Sequence, residues 1–148
     1  MNSIERYADE ISMNRHADLQ ITGHAFECLW AITKHITMRR AARQLNVSSV
    51  WLHEQLPDRE FVYFIQSLEK IKIGISHGKK FSGRINTFHV ANPHGLNLVC
   101  AMYGGKDIET QLHATFSKWR ISGEWFEMMP VILYLNNQQY DFGDTKHE

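Results

Sequence analysis

Cysteine, proline and long apolar runs are all scarce in this chain. Only 2 of its 148 residues are cysteine, Cys28 and Cys100, and they lie far apart with no CxxC spacing. Neither a disulfide framework nor a zinc site of paired cysteines is available, so both thiols are expected to be reduced, buried small hydrophobes. No window approaches the roughly 18 continuous apolar residues of a membrane span. The opening MNSIERYADEISMNR lacks the apolar core of a secretory signal. These absences point to a cytoplasmic protein with no membrane partner. Internal repeats and low-complexity segments are missing as well. So is an excess of one charge, because 16 basic side chains balance 16 acidic ones. What remains is a 43% apolar chain, long enough for one ordinary core or two small ones.

The zero net charge hides an uneven distribution. Residues 1–58 hold 6 basic and 7 acidic side chains, residues 59–118 hold 8 and 4, and residues 119–148 hold 2 and 5. The middle segment is therefore the positive one, and KIKIGISHGKKFSGR at 70–84 concentrates Lys70, Lys72, Lys79, Lys80 and Arg84 within it. This is a modest patch suited to phosphate.

The first half reads as helical. Ile4, Tyr7, Ala8 and Ile11 recur at helical spacing, and Phe26, Leu29, Ile32 and Ile36 do so along ITGHAFECLWAITKHI. In TMRRAARQLNVSSVWLHEQL, Ala41, Ala42 and Leu45 form a small face, Asn46 suits a left-handed stop, and Ser48 suits an N-cap. Two short helices with a tight turn are predicted, with Val47 plugging the turn and Trp51, Leu52 and Leu56 facing inward. The order of these residues resembles the helix-turn-helix of bacterial transcription factors, including the LysR type. That resemblance implies DNA as partner, with Ser49, His53 and Gln55 toward the major groove and Arg39, Arg40 and Arg43 toward phosphates. A plain helical hairpin shares the same pattern.

LPDRE at 56–60 has the composition of a connector, and a domain boundary is expected there. Beyond it the period becomes that of strands. FVYFIQ and IKIGIS flank the turn SLEK as a β-hairpin, FSGRINTFHV reads as a short helix, and GLNLVCAMY as a third strand. KDIETQLHATFSKW is an amphipathic helix, GEWFEM a strand or turn, and PVILYLNNQQY a closing helix with Pro130 in its first turn. The final DFGDTKHE reads as a frayed tail.

Taken in order, VYFIQ, IKIGIS, an arginine ten positions after Gly74, ETQLHATF and GEWF resemble the GIY-YIG endonuclease superfamily. The likeness is to its KIG-variant branch, known from bacteriophage proteins and the meiotically up-regulated gene 113 family. The resemblance implies an α+β fold: a helical, helix-turn-helix-like module over 1–58, then a small GIY-YIG-like domain over 59–140 with a three-stranded antiparallel sheet flanked by helices, and the tail 141–148. It makes Tyr63 the first-motif tyrosine, Gly74 the second-motif glycine, Arg84 the catalytic arginine and Glu109 the metal-binding glutamate. Lys72 stands where the second tyrosine would be, and GEWF carries no asparagine where the wider superfamily has one.

These residue types suit phosphodiester hydrolysis, which builds negative charge on the phosphate oxygens and the leaving oxygen. Glu109 offers a hard oxygen for Mg²⁺ or Mn²⁺, and Mg²⁺ commonly takes only one or two carboxylates. Arg84 offers a planar fork to the scissile phosphate. Tyr63 is a candidate for accepting or relaying a proton, and Lys72 for a stabilising charge or a base. Each also has a plainer reading: Tyr63 as a strand aromatic, Lys72 as a snorkelling strand residue, Gly74 as a bulge, Arg84 as a surface cation. Glu109 is set apart, because Leu112, His113 and Phe116 follow at i+3, i+4 and i+7, and a carboxylate at a core margin needs a partner. His113, one turn on from Glu109, joins the candidate catalytic set, whereas His77, His89 and His94 fall into no zinc spacing. Lys79 and Lys80 are candidate DNA contacts. The expected activity is metal-dependent DNA endonuclease; the alternative is a catalytically inactive DNA-binding regulator that uses the nuclease-like domain as a phosphate clamp or dimerisation surface.

Overall fold

Residues 17–137 are described by the structure, a computed structural model. The helix expected over 4–11 and the tail expected at 141–148 lie outside the described residues. The elements run α1 (Gly23–His35), α2 (Met38–Leu45), α3 (Ser49–Gln55), β1 (Glu60–Ser67), β2 (Lys70–His77), α4 (Phe81–Ala91), β3 (Asn97–Tyr103), α5 (Lys106–Thr115), β4 (Arg120–Ser122), β5 (Trp125–Glu127) and α6 (Met128–Asn137). The class is α+β, as expected.

Local chemistry explains α2 and α3. The Thr37 hydroxyl accepts from the Arg40 N–H and the Ser48 hydroxyl from the Trp51 N–H, so each helix has a side-chain cap. Asn46 ends α2 at φ 60°, the left-handed conformation that asparagine tolerates. Leu52 and Leu56 are buried, one turn apart. Trp51 is not: it is 38% exposed, which corrects the expectation that it packs inward. The inward positions of this one-and-a-half-turn helix recur every three to four residues, and Leu52 already occupies that face.

The antiparallel sheet has the order β3-β1-β2-β5-β4. It therefore contains five strands among the described residues, correcting the expected three. The hairpin β1–β2 and strand β3 are the three anticipated; β4 and β5 add a second small hairpin to the outer side of β2. Each is three residues long, and β4 is exposed throughout, so neither carries an alternating apolar signal. On the far side, the chain before α1 covers the edge of β3, where the Ile21 N–H donates to the Ala101 carbonyl at 2.8 Å.

Alternation along the strands divides the core in two. Phe61, Tyr63, Ile65, Leu98 and Ala101 face α1–α3 and α4, in one cluster with Leu29, Ile32, Ala41, Leu52 and Phe81. Val62, Phe64, Ile71, Ile73 and Met102 face the other way, onto Leu112, Phe116, Val131 and Leu135 of α5 and α6. The first cluster holds both Leu56 and Phe61, so it joins the N-terminal helices to the sheet on either side of the exposed residues 58–60.

Candidate functional site

Tyr63 and Gly74 are directly opposed across β1 and β2. A β-carbon built at Gly74 would stand 2.7 Å from Cζ of Tyr63 and 3.0 Å from Oε2 of Glu124, with the phenol oxygen closer still. Gly74 is thus a floor, without which the phenol and a carboxylate from the β4–β5 turn would have no room to meet. The plainer reading of Gly74 as a bulge is set aside, because β1 and β2 keep unbroken register through it.

Tyr63 is 1% exposed and lies among the rings of Phe61, Phe81 and Phe88. Burial holds the phenol well above the ordinary tyrosine range; Glu124 and Glu109 push the same way, and Arg84 opposes them. Glu124, Arg84 and Glu109 therefore all act electrostatically on one hydroxyl, although they come from the β4–β5 turn, α4 and α5. Arg84 is solvent-exposed on α4. One turn later, Phe88 covers Tyr63 and the neighbouring Lys72.

Lys72 sits beside this floor, opposite Trp125 in β5. Its Nζ lies 3.4 Å from Oε2 of Glu124, 4.8 Å above the Phe88 ring and 5.6 Å from the Trp125 ring. The ammonium is thus held by one carboxylate and two aromatic faces in a half-buried setting. Lys70 reaches the same indole from 4.5 Å.

Glu109 is 2% exposed, in the first turn of α5, where the helix dipole favours a carboxylate. Its Oε1 accepts from Lys106 Nζ at 2.9 Å. The pairing holds the Lys106 ammonium above its ordinary range, through the hydrogen bond first and the charge of Glu109 second. Glu124 adds to the same shift, so the two carboxylates share one electrostatic neighbourhood.

His113 turns away from this cluster. Its Nε2 is 2.8 Å from the Ile73 carbonyl, which can only accept, so Nε2 carries the proton. The ring packs on Phe126 at 5.2 Å. Ile73 lies where β2 runs past the end of β5, and its N–H donates to the Glu124 carbonyl. The histidine thus takes a strand carbonyl beyond the end of β5 and ties α5 to β2 one turn on from Glu109.

The expected DNA contacts divide. Arg39, Arg40, Arg43, Ser49, His53 and Lys80 are exposed, and Gln55 is half-buried. Lys79 is engaged: its Nζ donates to the His53 carbonyl at 2.7 Å, tying the loop after β2 to the end of α3. Of the histidines without zinc spacing, His77 lies 3.5 Å from Asp58 and accepts from the Lys79 N–H. His89 is half-buried on α4.

Two residues join the cluster that motif reasoning left outside the catalytic set. Glu124 lies within GEWF, and its signal is the pairing of that segment with IKIG. Lys106 stands three positions before Glu109, a spacing that by itself marks a helical ion pair. Among the described residues no group of three or more His, Cys, Asp or Glu side chains could hold a metal ion. Glu124 is paired with Lys72, and the buried donor is the cluster's other carboxylate, Glu109. Only its Oε1 is hydrogen-bonded among the described residues, to a lysine that is itself 78% exposed, so Oε2 remains as a hard oxygen, enough for a cation that keeps most of its waters. No protein-family model, curated protein or solved structure matches the chain.

Proposed function

We propose that this protein is a divalent-cation-dependent DNA endonuclease of the GIY-YIG type, acting in the cytoplasm, with α2 and α3 serving as a helix-turn-helix that holds the duplex. The observation that carries the reading is the buried Tyr63 phenol over Gly74, on which Arg84 of α4 and Glu109 of α5 both act electrostatically. A buried phenol, a buried carboxylate and an exposed guanidinium in one neighbourhood suit a phosphate ester better than they suit a structural core.

Glu109 would hold Mg²⁺ or Mn²⁺. When bound, the cation supplies positive charge against the negative charge that develops on the phosphodiester oxygens. Arg84, free in solvent, grips the phosphate through its planar fork. Lys72, held by Glu124, Phe88 and Trp125, contributes a fixed positive charge where the superfamily has a tyrosine. Tyr63 retains its proton at neutral pH, so its Oη serves as a hydrogen-bond donor to phosphate oxygen and not as the base. Arg39, Arg40 and Arg43 contact the phosphate backbone, and Ser49 and His53 face the groove. Cys28 and Cys100 are buried thiols that form no disulfide with each other, which fits a reducing compartment.

Supercoiled plasmid incubated with Mg²⁺ or Mn²⁺ tests the reading. Nicking by the wild type, abolished in both Arg84→Ala and Glu109→Ala, is the expected result. A second reading, the catalytically inactive DNA-binding regulator, is favoured by one feature: both carboxylates of the cluster are already paired with lysines. A gel shift of the plasmid with no nicking in any metal would establish that reading and sink the first.

A further inference from the structure

We infer that Lys106 is a built-in competitor for the divalent cation at Glu109, so that the site exchanges an ammonium for a metal when it is loaded. The inference rests on the assignment of Glu109 as the metal ligand. It starts from an imbalance in the pair. Glu109 is 2% exposed while Lys106 is 78% exposed, so the carboxylate is fixed within the fold and the ammonium reaches it from solvent. A buried carboxylate without a partner is costly, and Lys106 Nζ at 2.9 Å supplies that partner when no cation is present.

The two partners are mutually exclusive at close range. Lys106 extends from the first turn of α5, three residues before Glu109, and an ammonium bound to Oε1 would stand within a few ångström of any cation on the same carboxylate. Repulsion between them favours one occupant at a time. Lys106 leaves at little cost, since it returns to water and loses only an ion pair with one solvated partner. Lys72 does not duplicate this role. It is bound to Glu124 instead, and its stem and ammonium are enclosed by Phe88 and Trp125.

Mn²⁺ titration of the full chain, followed by the electron paramagnetic resonance signal of free Mn²⁺, tests this without using cleavage. Lys106→Met is expected to bind Mn²⁺ about fivefold more tightly than the wild type, the range allowed by displacing an ion pair whose ammonium is solvent-exposed. Lys106→Gln, which keeps a hydrogen-bond donor but drops the charge, should follow Lys106→Met if the competition is electrostatic. Melting curves of the same samples should show Mn²⁺ raising the Tm of Lys106→Met more than that of the wild type. Unchanged or weaker Mn²⁺ binding in Lys106→Met, with binding still lost in Glu109→Gln, overturns the competitor role and leaves the metal assignment standing. Absence of Mn²⁺ binding by the wild type and both Lys106 variants overturns the metal assignment, and the competitor role with it.

Discussion

Gly74 and Tyr63 form the tightest local constraint of the site. Adding one methyl group in Gly74→Ala would force the phenol or Glu124 aside. We expect a loss of about 1–3 kcal/mol in urea denaturation, the usual cost of overpacking a filled site, together with loss of any cleavage activity. Tyr63 supports a pH prediction. Its pKa is raised in the fold, so the unfolded chain loses this proton first as the solution becomes alkaline. The contribution to stability is complete below the ordinary tyrosine value of about 10 and erodes above it. Unfolding free energies measured from about pH 8 to about pH 11 should therefore fall more steeply in the wild type than in Tyr63→Phe; identical slopes would mean that the phenol is not held above its normal range. The resemblance to the GIY-YIG superfamily singled out Tyr63, Gly74, Arg84 and Glu109 as candidates. The partners of Lys72 and Glu109 were less so. Glu124 lies more than fifty positions from Lys72, and Lys106 reads as an ordinary surface lysine until the burial of Glu109 is known.

Among the elements, the β1–β2 hairpin turns through Leu68 and Glu69, with Ser67 paired to Lys70. Leu68 has φ 55° and is 60% exposed, a conformation that suits asparagine or glycine better than leucine. Leu68→Asn should raise stability by about 1 kcal/mol, read as an increase in denaturation midpoint; no increase would mean that the turn carries no strain. Strand composition identified this hairpin correctly, because β1 is a continuous β-branched and aromatic run and β2 alternates apolar with polar or small residues. The same rule gave no strand for β4 and left GEWFEM, which holds β5, as strand or turn, because both strands are too short to show a period. Helix α5 illustrates a different dependence. His113→Ala removes the partner of a strand carbonyl and should cost about 1–3 kcal/mol, while leaving Glu109 chemically intact. If His113 positions α5, this variant keeps Mn²⁺ binding weakened but measurable, whereas Glu109→Gln eliminates it.

At the scale of the whole molecule, α1–α3 and the sheet share a single apolar cluster, with Leu52 and Leu56 in the same core as Phe61 and Tyr63. Leu52→Ala should therefore cost about 2–5 kcal/mol and lower the stability of the entire described chain in one transition. Separate melting of helical and sheet signals in circular dichroism would show instead that the two halves are independent units. Under the proposed function, α2 and α3 held against the sheet in this way, with Lys79 bonded to the end of α3, would present DNA to the site at a set angle. The cap at Ser48, the left-handed stop at Asn46 and the alternation of β2 were all decided by chemistry acting within a few positions along the chain, which is why reading the residues in order recovered them. The fourth and fifth strands, the outward Trp51, the diversion of His113 to a strand carbonyl and the pairing of Glu109 with Lys106 were decided only on folding. Each depends on which distant group is left without a hydrogen-bond partner, a neighbour or water once the core has closed.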